Sequence, residues 1–430
     1  MSSRIQEFDA GADQILLMAA EGIQITATRF SALAHRNFRL FFGGQLISLS
    51  GTWMQSTAQL WLAYRLTHSA TFLGIIGFAN LISVLLLAPV GGYLGDRRDR
   101  HRVLISTQVA AMLLSLSLAV LTIAGLITRW ELVLIGLLSG MVYAFEMPIR
   151  QSFFVHMVGP EDLASAIALN SVALNGARIV GPAVAGFVIS AIGEGGCFLL
   201  NAVSFLAIIA CLLAMRIEHV RNPAQEQFSS TGFTSAIQYI LKDTPSRSAL
   251  LLMSLLSLLA QQYVVFLPIF ASDVLHRGAR GMGTLMGVAG LGALLGATAF
   301  AARLPRYTNM EKWIAIASLT TSSGIVLFCL SGNFFSASVL LFFVGLGATL
   351  GAAATNILLQ SRVPGELRSR LMAIYAVAFI GLQPIGALLG GMTARHIGAP
   401  LTLCIFGLVC LIGSAGYFLT VLRGRQLSDG

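Results

Sequence analysis

Charge is scarce in this chain. Asp, Glu, Lys and Arg supply 10% of its 430 residues against 56% apolar residues, and mean hydropathy is +0.81. A soluble domain carries about 25% charged residues, so there is too little charge here to cover a water-facing surface. The composition indicates an integral membrane protein. Cysteine is scarce too: Cys197, Cys211, Cys329, Cys404 and Cys410 all lie in apolar runs without metal-type spacing. That pattern offers no disulfide framework and no metal site. The chain contains no G-x-x-x-x-G-K-[ST], and hence no phosphate-cradling loop for ATP hydrolysis. It shows no Ser/His/Asp constellation, and its His residues are scattered, mostly through connectors. These absences argue against an enzyme and call for no cofactor. The net charge of +9 would suggest nucleic acid in a soluble protein. Here the basic residues sit between apolar runs, which points to orientation in a membrane and to no nucleic-acid partner.

Long polar stretches are also few. A spanning helix needs about 20 largely apolar residues. Twelve such segments are expected, near 38–64, 71–95, 103–127, 131–155, 163–191, 196–215, 248–272, 281–304, 312–331, 335–359, 368–393 and 399–422. Most connectors are too short to hold an extramembrane catalytic domain. The exception, 217–247, is polar and divides the spans six and six; its FTSAIQYIL has the pattern of a short surface helix. The expected organisation is a cytoplasmic tail (1–35), a six-helix bundle (36–216), a cytoplasmic linker (217–247), a second bundle (248–423) and a short cytoplasmic tail (424–430). Within the first tail, QILLMAA is acid-flanked and lacks the basic start of a signal peptide. Placing the N-terminus inside puts twenty Lys or Arg on inner segments and five on outer ones, which predicts that both termini are cytoplasmic.

The halves resemble each other. Shifted by 205 residues, 158–193 aligns with 363–398 without a gap, and Gly176, Gly181, Gly186 and Gly193 meet Gly381, Gly386, Gly391 and Gly398. Parallel six-helix repeats suit a transporter that rocks one half against the other.

Charge is concentrated at GGYLGDRRDRHRVL (91–104), between two apolar spans. A positive-inside anchor would account for the Arg run but not for Asp96, Asp99 or the glycines. The pattern Gly92-x-x-x-Asp96-Arg97-x-Asp99-Arg100-His101-Arg102 resembles the loop signature of the major facilitator superfamily. It departs in having Asp99 where many members have Gly, and His101 where a basic residue is usual. Both departures, with MPIRQSF (147–153), LASAIALNSVALNGARIVGPAVAG (163–186) and PGELRSRLMAIYAVAFIGLQPIGALLGG (364–391), resemble the branch that includes the enterobactin exporter and macrolide efflux pumps. The resemblance runs over roughly 36–423. It implies a cytoplasmic gate made by Gly92, Asp96, Arg97, Arg100 and Arg102, with Arg150 close by and Asp96 facing the helix start at 365–370. The stretch GARIVGPAVAG also resembles the fifth-helix signature of antiporters, with Ala185 where that signature has Gly. It implies export by exchange. Physically, Gly181 and Gly186 permit tight packing and Pro182 frees a backbone group.

Ionisable residues inside spans are costly and mark function. Glu146 and Arg150 are one helical turn apart and can pair as a gate brace, or Glu146 can carry a proton, with Asp273 as the second candidate. Arg178 lies roughly 22 Å along its span, and either an anionic substrate group or a carboxylate from another helix would answer it. Gln55 and Gln59 in the first span, Asn175 in the fifth, Gln261, Gln262 and Tyr263 in the seventh, Asn356 in the tenth and Gln383 in the eleventh offer uncharged polar groups for a large, partly apolar ligand. The expectation is an all-α, twelve-helix transporter of a bacterial cytoplasmic membrane, monomeric and surrounded by lipid. It would export an amphipathic drug or siderophore-like metabolite in exchange for protons. A lipid or lysolipid flippase of the same fold is an alternative. A non-transporting receptor or scaffold is another, though it would need a larger soluble segment than this chain has.

Overall fold

A computed structural model describes residues 30–97, 99–216, 231–303 and 309–426; the side chains of 88–97, 231–234, 300–303, 365, 366, 369 and 423–426 lie outside that description. Among the described residues, ten helices are long and apolar enough to cross a membrane. One of them, Leu163–Leu213, holds two spans, because Gly193 turns the backbone with φ +79°. Helix Arg36–Thr67, less apolar than the others, completes twelve. The order is Arg36–Thr67, Ala70–Arg97, Arg100–Ile123, Arg129–Val158, the two arms of Leu163–Leu213, then Thr244–Val274, Gly278–Arg303, Met310–Cys329, Phe334–Arg362, Gly365–Ile397 and Ala399–Gln426. They are numbered first to twelfth below. No strand occurs among the described residues. Large apolar side chains such as Phe187, Leu206, Phe335 and Ile412 face outward, as a surface bathed in hydrocarbon requires.

Tight turns set the hairpins. His68 takes a left-handed conformation between the first two spans. Asp99 caps the third span by accepting from the backbone N–H groups of His101 (3.0 Å) and Arg102 (3.4 Å). Thr128 and Glu131 form a reciprocal cap on the fourth. Before the first span, a 3-10 turn at Ser31–Ala34 docks onto the start of the fifth, with Ala32 buried and His35 Nε2 2.7 Å from Asp162. The Ser31 hydroxyl, and after it His35, holds the Asp162 carboxyl below the usual carboxylate range. So residues 31–35, placed in the tail by the sequence, pack against the first bundle.

The linker forms the expected short helix, Thr231–Lys242. It is pinned to the last six spans as well as offering an apolar face: Ile240 is buried and Tyr239 donates to the Arg362 carbonyl at 2.7 Å, while Ile237 and Leu241 stay exposed. Arg362 in turn pairs with Glu311 at 2.8 Å and with Asp243 at 3.5 Å.

The internal repeat is visible as equivalent contacts. Gly181 backs onto Ser50, Trp53 and Met54 of the first span, and Gly386 backs onto Leu258 and Gln262 of the seventh. Gly186 meets Ala279 and Arg280 of the eighth span, and Gly391 meets Ala70, Thr71 and Gly74 of the second. Gly193 and Gly398 share a positive φ, +79° and +83°. These angles suit only a residue without a Cβ.

Symmetry fails in the seventh and eleventh spans. The seventh is helical over Thr244–Leu258, turns through Ala260–Gln262, resumes over Tyr263–Ile269 and widens at Phe270–Val274. The eleventh widens at Val377–Gly381 before Pro384. A proline cannot donate its backbone N–H, which loosens the preceding turn. Their counterparts, the first and fifth spans, run without a comparable break.

Candidate functional site

The two halves meet closely at one face, the one opposite the linker. Tyr64 at the end of the first span donates its hydroxyl to Asp273 at the end of the seventh. Thr71 donates to the Gly391 carbonyl at 3.1 Å. Gly186 and Gly283 bring the fifth and eighth spans backbone to backbone, and Gly74 does the same for the second and eleventh. On each of these six spans the residues closer to the linker face line a cavity of about 760 Å³. Along the second span, Thr71 and Gly74 belong to the seal and Gly77 and Asn80 to the cavity. Along the fifth the order is reversed, with Asn175, Arg178 and Pro182 in the cavity and Gly186 in the seal. The seal therefore caps a chamber placed at the junction of the halves.

Seven of the residues expected from sequence to contact substrate do line this chamber: Asn175 and Arg178 from the first half, and Gln261, Gln262, Tyr263, Asn356 and Gln383 from the second. The turn at Ala260–Gln262 exists at this level, and the Gln262 amide stabilises it. Its Nε2 donates to the carbonyls of Leu258 (3.1 Å), Ser257 (3.3 Å) and Gln383 (3.3 Å), so both irregular spans are tied together. Asn356 accepts from Gln360 at 2.6 Å.

Two expected residues lie elsewhere. Gln55 faces the third and sixth spans, where it accepts from the Ser115 hydroxyl and from Asn201 Nδ2 (2.8 Å). Gln59 sits behind the chamber wall, buried, and accepts from Asn80 Nδ2 at 3.4 Å. A lone polar residue in an apolar span was visible in the sequence, but the face it occupies was not. Asn80, which sequence reasoning passed over, takes their place on the lining. Its signal was the single amide in GFANLIS.

Arg178 is half-buried, with its guanidinium carbon 5.4 Å from the centre of the Trp53 ring. Gly181, one turn on, leaves room for the Trp53 Cβ and the neighbouring backbone of Ser50 and Met54. Among the described residues no carboxylate bonds to Arg178. Glu146 and Arg150 do pair, with Arg150 Nη1 donating at 2.9 Å; both are buried, and Arg150 Nε has no partner. Neither lines the chamber. Of the expected gate residues, Gly92, Asp96 and Arg97 have side chains outside the description. Arg102 pairs with Asp99 at 3.5 Å, and Arg100 opens the third span.

A further carboxylate was missed. Glu194, next to the Gly193 turn, is buried and receives Arg65 Nε at 2.8 Å. Its place beside a helix break put it outside the expected spans. Among the described residues no cluster of His, Cys, Asp and Glu could hold a metal ion.

Twelve spans, two halves related by an internal repeat and a chamber at their junction define a transporter of the major facilitator superfamily. Residues 27–428 match the family described as transmembrane secretion effectors, and the chain belongs to it. It is 24% identical to the staphyloferrin A transporter of Staphylococcus aureus, over 87% of this chain and 94% of that one. It is 23% identical to the multidrug efflux pump Tap of Mycolicibacterium fortuitum, over 86% and 92%. Its fold is similar to that of the nucleoside transporter NupG, with a TM-score of 0.67 at 14% identity over 89% of this chain and 98% of that one. It is also similar to a bacterial homologue of the lysosomal transporter Spinster, solved inward-facing and unoccupied, with a TM-score of 0.65 at 16% identity over 91% and 96%.

Proposed function

We propose that this protein exports an amphipathic small molecule across a bacterial cytoplasmic membrane in exchange for protons. The carrying observation is the chamber of about 760 Å³ at the junction of the halves, sealed on the face opposite the linker. Its size suits a drug-sized ligand, and its polar groups come from both halves, so a bound molecule touches both moving parts. Relatives named for efflux and for a siderophore support export of drug-like or siderophore-like cargo. With the Arg-rich linker face in the cytoplasm, the chamber is in position to load from the cell interior.

Asp96 and the Arg residues around it would close the linker face when the seal opens. The proton falls to Glu146. Here Glu146 accepts from Arg150 Nη1. Protonation would release Arg150.

The test uses full-length protein in sealed liposomes loaded with a pH-sensitive dye, under an imposed proton gradient. Siderophores, macrolides and cationic dyes are added in turn. Substrate-triggered proton movement that is lost in Glu146→Gln supports the reading. Movement that persists in Glu146→Gln but disappears in Asp273→Asn transfers the proton to the seal. Compounds that bind without moving protons would overturn antiport and favour a flippase.

A further inference from the structure

We propose that Arg178 makes this transporter selective for amphiphiles bearing an oxyanion, a carboxylate above all, and that it turns cationic amphiphiles away. The inference rests on the chamber being the transport site.

Arg178 is the one charged side chain among the described residues that line the chamber. A charge inside a span is costly and is normally answered by a partner. Here the partner on the protein side is the Trp53 ring. A ring face attracts the cation but accepts none of the guanidinium's N–H bonds. The five donors lie in one plane, in a fork that fits two oxygens of a planar oxyanion. An oxyanion can accept from that fork and an amine cannot.

The remaining walls agree. Gln261, Tyr263 and Asn356 present neutral groups from the other half, and Met286, Leu60 and Phe379 supply apolar surface. Among the described lining residues no carboxylate is present to receive a cation. A cationic amphiphile would bring a second positive charge beside Arg178, and like charges repel. A molecule with its oxyanion on Arg178 and its apolar body towards the second half would bridge both moving parts.

The experiment measures binding to full-length protein in detergent. Two probes share one ring system and differ in charge: 1-naphthylacetate and 1-naphthylmethylammonium. The expected result is that the anion binds at least about tenfold more tightly, the low end of what a hydrogen bond to a charged group contributes. Arg178→Gln should erase the difference, and Arg178→Lys should keep its sign while shrinking it. On the unmodified protein, sodium benzoate should displace the anionic probe and benzylammonium chloride should not, a readout independent of how any variant folds. Equal affinities, a preference that survives Arg178→Gln, or no binding of either probe would overturn the proposal. Anion-selective binding without proton movement in liposomes would leave this inference standing and remove the antiport reading. Proton-coupled movement of cations with no anion preference would do the reverse.

Discussion

The buried pair of Glu146 and Arg150 shows what a charge costs at the scale of one residue. Arg150 reaches its partner through Nη1 while its Nε stays unbonded, so Glu146 is most of what compensates it. Removing one member of a buried pair strands the other and typically costs about 3–5 kcal/mol. Glu146→Gln is therefore expected to lower the unfolding free energy by about 3 kcal/mol or more. Replacing Arg150 with Met in the same protein should recover part of the loss. Unfolding in detergent followed by circular dichroism checks both, and an unchanged Glu146→Gln protein would mean that the pair is not structural. Sequence made this pair legible, since two opposite charges one turn apart in an apolar run can neutralise each other and have no other charge close by to do so. Arg178 was legible because a lone cation stands out in an apolar run. The misplacing of Gln55 and Gln59 has a physical cause as well: an amide is cheap enough to bury that its presence in a span does not reveal whether it faces a cavity or another helix.

Among elements, the paired glycines decide how closely the halves approach. Gly283 lies against the Pro182 carbonyl and Gly186, and Gly74 lies against Ala387 and Gly391. A methyl group at either position has backbone in its way, and backbone yields only if the spans separate. Gly283→Ala is therefore expected to disfavour the sealed face and shift the population towards the alternate conformation. In a cysteine-free background carrying Ser272→Cys, labelling by a membrane-impermeant maleimide should quicken several-fold when Gly283→Ala is added. Unchanged labelling would show that the seal does not depend on this approach. The register of Gly186 and Gly391 could be read from the 205-residue repeat, and the structure gives the two matching roles; Gly74 and Gly283, 209 residues apart, lie outside that alignment. The breaks in the seventh and eleventh spans could not be read. Hydropathy reports only how apolar a segment is: the eleventh span stays apolar through Val377–Gly381, and two glutamines in the seventh lower the average without marking a turn. Pro268 and Pro384 lie in these spans, but a proline in an apolar run does not reveal where a break falls.

For the whole molecule, the excess of Lys and Arg on one set of segments predicts that face to be cytoplasmic. A green fluorescent protein fused after residue 430 should fluoresce, and alkaline phosphatase fused there should be inactive; the opposite pair of results would invert the orientation. The twelve-span outline was legible because each hydrophobic run is long and the turns between runs are short. What the outline left open was which conformation the chain would adopt and where the chamber would sit, since both depend on contacts between spans far apart in sequence. If Arg178 takes the proposed oxyanion, it would also make the carrier sensitive to voltage. An empty chamber carries the charge of Arg178, whereas a chamber filled by a monoanion is electrically neutral. A charge crossing the full membrane field is worth about 2.3 kcal/mol per 100 mV, and in a rocking cycle Arg178 would cross part of that field. A negative interior would draw the unloaded protein towards its cytoplasm-open state and release the loaded one from that pull, so the resting potential itself would help to reset the carrier after each delivery.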